Sequence, residues 1–224
     1  MQLHSVVVTA YDWVPDFAHG HVRDLRVRWA LNEAGMPYES RLIDHQQKLE
    51  AEHLARQPFA QVPALDLDGS SMFESGAIVW TIAERSEALL PKDAAGRRQA
   101  LTWCFAALNS VEPPVAQLVE IDFFMDDEHV KAKLRPRTEK AVTTRLSQLQ
   151  AALGEEQFLL GAFSAPDILM ASVLRSLGHS DILRGFPQLE RYLDRCLSRP
   201  AFQAALAEQI GDFARTASTT ENAA

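Results

Sequence analysis

Cysteine is scarce in this chain, and so is excess positive charge. Its 224 residues include two cysteines, Cys104 and Cys196, which form neither a CxxC pair nor a metal-ligand spacing. A dithiol redox motif and a cysteine metal site therefore have no basis, and no metal is expected. Both cysteines fall in segments of helical pattern, where buried structural thiols are the expectation. Long apolar runs are missing too. None approaches the roughly 20 residues needed to span a bilayer. Met1-Gln2-Leu3-His4-Ser5 lacks a basic segment followed by an apolar core, so no signal peptide is expected. With 22 Lys and Arg against 30 Asp and Glu, the net charge of -8 argues against nucleic acid or an anionic membrane as a general partner. A reduced cytoplasmic location fits these absences. There is no internal repeat or low-complexity insert.

What is present is an ordinary globular composition, 47% hydrophobic and 23% charged, of a length for one large domain or two small ones. Leu3 to Thr9 carries the β-branched run Val6-Val7-Val8 and reads as a strand. Ala10 to Gly20 holds Pro15, Gly20 and three aromatics without a clean period, and reads as a loop. From Val22 to Ala34, Val22, Leu25, Val27, Trp29, Ala30 and Leu31 form an apolar stripe, with Arg23, Asp24, Arg26, Arg28 and Glu33 largely on other faces. Gly35 and Pro37 close that helix. Tyr38 to Ile43 alternates as a strand, and the polar segment Asp44 to Arg56 suits a loop with a short helix.

The stretch from Gln57 to Ile78 organises the first half. Gln57-Pro58-Phe59-Ala60-Gln61-Val62-Pro63 is a proline-rich turn. Ala64-Leu65-Asp66-Leu67-Asp68 alternates apolar and acidic, Asp68-Gly69 is a hairpin turn, and Ser71-Met72-Phe73 returns. A helix follows from Glu74 to Glu84. Read alone, Glu74 and Ser75 also suit a plain helix cap. The order is βαβαββα, that of a thioredoxin-like domain.

These segments resemble the cytosolic glutathione transferase superfamily. Arg26-Val27-Arg28-Trp29-Ala30-Leu31 through Glu39 is similar to that family's first helix and second strand. Gln57-Pro58-Phe59-Ala60-Gln61-Val62-Pro63-Ala64-Leu65 is similar to its Asn-Pro-x-Gly-x-Val-Pro-x-Leu segment, and Phe73-Glu74-Ser75-Gly76-Ala77-Ile78 to its Glu/Gln-Ser-x-x-Ile. The resemblance implies a cis peptide at Val62-Pro63 and glutathione as co-substrate. Val62 would pair with the cysteinyl backbone of glutathione, Pro63 being part of the same segment. Ser75 and the helix-start N–H groups would take the γ-glutamyl carboxylate, Glu74 the ammonium, and Gln61 would reach the same end. Lys48 is a candidate for the glycyl carboxylate.

The second half is helical in pattern. Leu89 to Asp93 suits a linker, and Arg97 to Val111 a helix that Pro113-Pro114 kinks or ends. Lys131 to Leu153 reads as a long helix broken at Pro136. Ser164-Ala165-Pro166-Asp167 is a capping box opening another, and its resemblance to the family's Ser/Thr-x-Ala-Asp segment implies a structural role for Asp167. Segments beginning at Phe186 and Arg199 resemble the last helices of the family's all-α domain. The expected architecture is an α/β thioredoxin-like glutathione-binding domain at 1–88, an all-α domain at 94–215, and a flexible tail at 216–224.

The family activates a thiol so that its thiolate attacks an electrophile, commonly with a Tyr, Ser or Cys just after the first strand. This chain departs from that pattern, for no Ser or Cys lies between Val6 and Arg28. Candidates for the thiolate stabiliser are Tyr11, then Arg23. His19, His21 and the backbone amides of the helix start are further alternatives. Trp13, Phe17 and Trp103 would line the pocket for a small hydrophobic electrophile. The function implied is a detoxifying glutathione transferase, with isomerase and peroxidase chemistry open. The alternative is a catalytically silent, glutathione-binding interaction module of the same fold. A homodimer is implied by the resemblance alone.

Overall fold

The computed structural model describes residues 6–221, with side chains described up to residue 215. Residues 3–5 of the expected first strand, and 222–224 of the expected tail, lie outside the described residues. Two compact units are present: residues 1–87 together with 200–224, and residues 88–199.

In the first unit, β1 (Val7–Tyr11) lies between β2 (Glu39–Ile43), to which it runs parallel, and β3 (Ala64–Leu67), to which it is antiparallel. The hairpin partner of β3, β4 (Ser70–Phe73), completes the order β2-β1-β3-β4. The β1–β2 parallel pair needs a crossover, and α1 (Asp24–Ala34) supplies it. The Asp68-Gly69 turn has φ of +53° and +77° at its two central residues, the doubly positive pair that a tight two-residue hairpin demands. Between β2 and β3 lie a single 3-10 turn at Gln47–Leu49 and the short helix α2 (Ala51–Leu54). The helix α3 (Ser75–Glu84) follows β4.

The α1 helix corrects the sequence reading of its faces. Asp24, Arg26 and Arg28, expected on the polar side, are buried along with Leu25, Val27, Trp29, Ala30 and Leu31. The cause is cover from every direction: α1 packs on β1, on α3 and on the last helix, α9 (Pro200–Glu221). Arg28 donates to Asp24 at 2.8 Å and to Asp212 of α9 at 2.6 Å, while Gln209 of α9 donates to the second oxygen of Asp24 at 2.7 Å. Burial pushes the Asp24 carboxyl up, with Arg28 and Gln209 acting against it; the two carboxylates raise the Arg28 guanidinium above its ordinary value despite its burial. Residues 200 onward, read from sequence as the end of the all-α domain, thus pack with the first unit. The expected tail begins inside α9, whose backbone is helical to Glu221.

The second unit is helical: α4 (Ala94–Phe105), α5 (Glu112–Phe124), α6 (Glu128–Leu153), α7 (Ala165–Arg175) and α8 (Pro187–Leu197). A π-helical turn, Ala106–Val111, joins α4 to α5. Pro113 and Pro114 lack the N–H groups that would reach the carbonyls four residues back, which accounts for the widened turn ahead of them. Pro136 does not break its helix: α6 runs through it, a correction to the expected interruption. The most buried element is α7, from Ala165 to Ala171 without interruption. Its cap is the expected capping box. Asp167 accepts from the Ser164 N–H (2.9 Å), the Ser164 hydroxyl (3.1 Å), the Leu159 N–H (3.0 Å) and the Tyr192 hydroxyl (3.0 Å). Every carboxylate contact is structural. The thiols are buried and free; burial pushes Cys104 up to about 12, and raises Cys196 as well.

Candidate functional site

Strand register gathers the candidate residues at one end of the sheet. Ala64, the first residue of β3, pairs with Thr9 near the end of β1 and with Phe73 at the end of β4. Val62-Pro63 enters the sheet there, Tyr11 closes β1 there, and Glu74-Ser75 leaves β4 there. The Val62-Pro63 peptide is cis. Val62 precedes the ladder, which begins at Ala64.

The loop ahead of it is held by two side chains that sequence reasoning missed. The buried Gln57 carboxamide oxygen accepts from the N–H of Phe59 at 2.7 Å and of Gln61 at 3.3 Å. His53, also buried, donates from Nε2 to the Gln61 carbonyl at 2.8 Å. The Gln61 backbone is therefore fixed on both sides while its side chain is exposed. His53 sat in a segment read only as polar, and Gln57 was read as the start of the proline turn with no role for its side chain. The signal that finds them is the spacing of four, which puts His53 and Gln57 on one side of a helical turn directly before the proline turn.

Glu74 occupies φ +71°, ψ +109°, a conformation costly for a residue with a Cβ. As the residue preceding α3 it makes no side-chain capping hydrogen bond, so the plain-cap reading does not describe it. The first N–H groups of α3 have no partner within their own helix and present partial positive charge at its start. Ser75 is buried at that start, and the buried Arg26 of α1 donates from Nη1 to its hydroxyl at 3.3 Å. Arg26 was missed because its circumferential burial on α1 comes from elements distant in sequence.

Tyr11 stacks on His45, ring centroids 4.5 Å apart, and the Lys48 ammonium lies 5.7 Å from the Tyr11 ring centre. Thr9, two residues before Tyr11, is buried. Arg56 donates to the Thr9 hydroxyl and pairs with Asp66 at 3.4 Å. Asp66 also accepts from Arg41 and Ser71, each at 2.6 Å. Burial draws the Asp66 carboxyl up, but these donors outweigh it and hold it low. Arg23 is exposed and immediately precedes α1. Trp13 and Phe17 are each 49% exposed on the loop between β1 and α1. Trp103, half-buried, belongs to α4 of the second unit. Among the described residues no group of three or more His, Cys, Asp or Glu is arranged to hold a metal ion.

Two family models match this chain: the glutathione S-transferase N-terminal domain over residues 7–84 and the glutathione S-transferase C-terminal domain over residues 115–200. The chain belongs to the cytosolic glutathione transferase superfamily. It is 26% identical over 186 residues to a glutathione S-transferase of Antechinus stuartii, an alignment covering 81% of each chain. Among solved structures it is similar to a glutathione transferase of Burkholderia graminis that holds two glutathione molecules per subunit. That match has a TM-score of 0.79 and 26% identity, covering 91% of this chain and 88% of the other. A Pseudomonas putida glutathione transferase with one glutathione disulfide bound per subunit matches with a TM-score of 0.76 and 25% identity, covering 90% of each chain. The N-terminal model takes in the sheet end just described, from Tyr11 through Val62-Pro63 to Glu74-Ser75, whereas the helix α9 that packs on α1 lies beyond both matched segments after its first residue, Pro200.

Proposed function

We propose that this glutathione transferase binds glutathione at the end of its sheet and activates the thiol for attack on a small electrophile. The observation that carries the reading is the convergence at Ala64 of the Val62-Pro63 segment, the Tyr11 end of β1 and the open start of α3 at Glu74-Ser75. An extended tripeptide has main-chain groups to pair with at Val62, as an added strand does. Its γ-glutamyl carboxylate meets the α3 N–H groups and the Ser75 hydroxyl. Glu74 takes the ammonium in a charge-assisted bond, and Gln61, its backbone already fixed, offers a carboxamide to the same end.

The chemistry needs the thiol proton to leave. A donor to the sulfur, or a nearby cation, stabilises the thiolate and lowers its pKa. Tyr11 is the first candidate, its ring held in place by His45 and Lys48; Arg23 is the second. The thiolate sulfur then forms a bond to the electrophilic carbon, and the leaving group departs with its electron pair, or in an addition the product takes up a proton. Trp13 and Phe17 offer apolar surface to an electrophile from the loop after β1. The protein acts as a homodimer without a metal cofactor.

The deciding measurement is the pKa of the thiol of bound glutathione, read from thiolate absorbance. A value well below that of free glutathione, with turnover in a panel of electrophiles and disulfides, is expected. A value near that of the free thiol would overturn the enzyme reading and leave a glutathione-holding interaction module. Tyr11→Phe raises the bound thiol pKa and lowers turnover if the phenol is the stabiliser; no change passes the role to Arg23. A monomeric mass in solution would remove the dimer.

A further inference from the structure

We propose that Arg26 is a positioning residue that orients and polarises the Ser75 hydroxyl for an anionic ligand. This rests on the reading of Ser75 as a carboxylate-binding residue and adds to it a buried partner on a different helix.

A hydroxyl has one proton to donate and two lone pairs to accept with, whereas a guanidinium can only donate. The 3.3 Å bond from Arg26 Nη1 to Ser75 Oγ therefore uses a lone pair of the serine. The serine proton is left for another acceptor. At the first residue of α3, beside N–H groups that open outward, the acceptor that fits is an anion placed at the helix start. A donor carrying positive charge also polarises the O–H it bonds to, so each link strengthens the next. Arg26 is 6% exposed and Ser75 likewise 6%. In such surroundings the charge is weakly screened and adds to the positive end of the α3 dipole. An arginine held inside the protein is costly unless its bonds repay the desolvation.

The test is a double-mutant cycle on the full chain, with glutathione affinity measured by calorimetry. Arg26→Met is expected to weaken glutathione binding about tenfold, the size of one charge-assisted bond. It should raise KM for glutathione while kcat at saturating glutathione falls less than threefold. Ser75→Ala should weaken binding to a similar degree. In the Ser75→Ala background, Arg26→Met should cause no further loss, because its effect passes through the missing hydroxyl. Arg26→Lys, which keeps a buried cation and an N–H donor, should recover most of the affinity. If Arg26→Met does not fold, Arg26→Gln serves the same cycle, with a smaller loss that again vanishes without Ser75. An equal loss in both backgrounds, or no loss when Ser75 is present, overturns the assignment of Arg26 alone. Failure of the unaltered chain to bind glutathione overturns the functional reading and this inference with it.

Discussion

At the scale of the residue, Glu74 shows a conflict between backbone and side chain. Its φ of +71° with ψ of +109° suits glycine far better than glutamate. A carboxylate at such a position, without capping the helix it precedes, fits the ligand role proposed for it. Glu74→Gly is therefore expected to leave stability unchanged or raise it by about 1 kcal/mol, the usual size of relieved strain. The same change should weaken glutathione binding at least tenfold through loss of the ammonium partner. Urea unfolding and calorimetry read the two effects separately. A clear loss of stability would show that the glutamate is there for the fold. Glu74→Gln separates charge from shape, since it keeps the strain and loses the ammonium partner.

Elements differ in how far their sequence announces them, and the difference follows the range of the forces involved. The Asp68-Gly69 hairpin, the Ser164–Asp167 capping box and the segment around Val62-Pro63 were legible because each is specified within a few residues. The glutathione-binding role proposed for the sheet end comes from resemblance; composition and periodicity alone leave Glu74 and Ser75 as a possible cap. Arg28 and Asp24 were misplaced because their partners come from α9, more than 170 residues later, and Arg26 because its partner Ser75 lies on α3; no local period records either. The Gln57 and His53 clamp escaped because its one signal, a spacing of four between two polar residues, is too short to form a periodic stripe. Pro136 misled in the other direction. It is exposed within α6 and removes one hydrogen bond, yet the other bonds of a 26-residue helix and its packing carry the helix through. Pro136→Ala restores that bond without disturbing a core, and should raise stability by about 1–3 kcal/mol in thermal or urea unfolding. A fall would show that the proline sets a bend that the packing needs.

The joint between α5 and α6 gives a pH dependence with a definite sign. Asp122 of α5 accepts from Arg135 Nε at 2.8 Å and from His179 Nε2 at 3.0 Å. Burial draws the Asp122 carboxyl up, but the bonds and charges of Arg135 and His179 outweigh it and hold it below the ordinary aspartate range. A carboxyl lowered in the folded state stabilises the fold above its unfolded pKa, and the contribution disappears as pH falls through the folded value. Asp122→Asn should thus cost stability at pH 7 and little at pH 2–3, the gap closing as pH falls below about 4. Equal destabilisation at both ends of that range would assign the residue a packing role instead.

Across the whole molecule, the chain does not finish its first unit before starting its second. The strands, α1 and α3 are made by residue 87, but the remaining face of α1 is covered only by α9. Phe202 packs edge-on against Trp29, ring centroids 4.8 Å apart, and Phe213 stacks on His19 at 4.9 Å. Asp212 and Gln209 complete the polar group around Asp24 and Arg28. Without α9, a fully buried tryptophan faces water, and Arg28, 1% exposed, keeps only one of its two carboxylate partners. Each buried aromatic is worth about 2–3 kcal/mol, and a broken buried ion group several more, which together rival the stability of a small domain. A chain ending at Arg199 is therefore expected to lose amide-exchange protection in β1 and α1, and with it glutathione binding, while α5 to α8 stay protected. A peptide of residues 200–221 added in trans should restore protection to β1 and α1. Because the peptide is separate, recovery would show that the helix acts by packing rather than by chain connectivity. Native-like protection of β1 in the shortened chain would show that the sheet and its three remaining helices fold unaided.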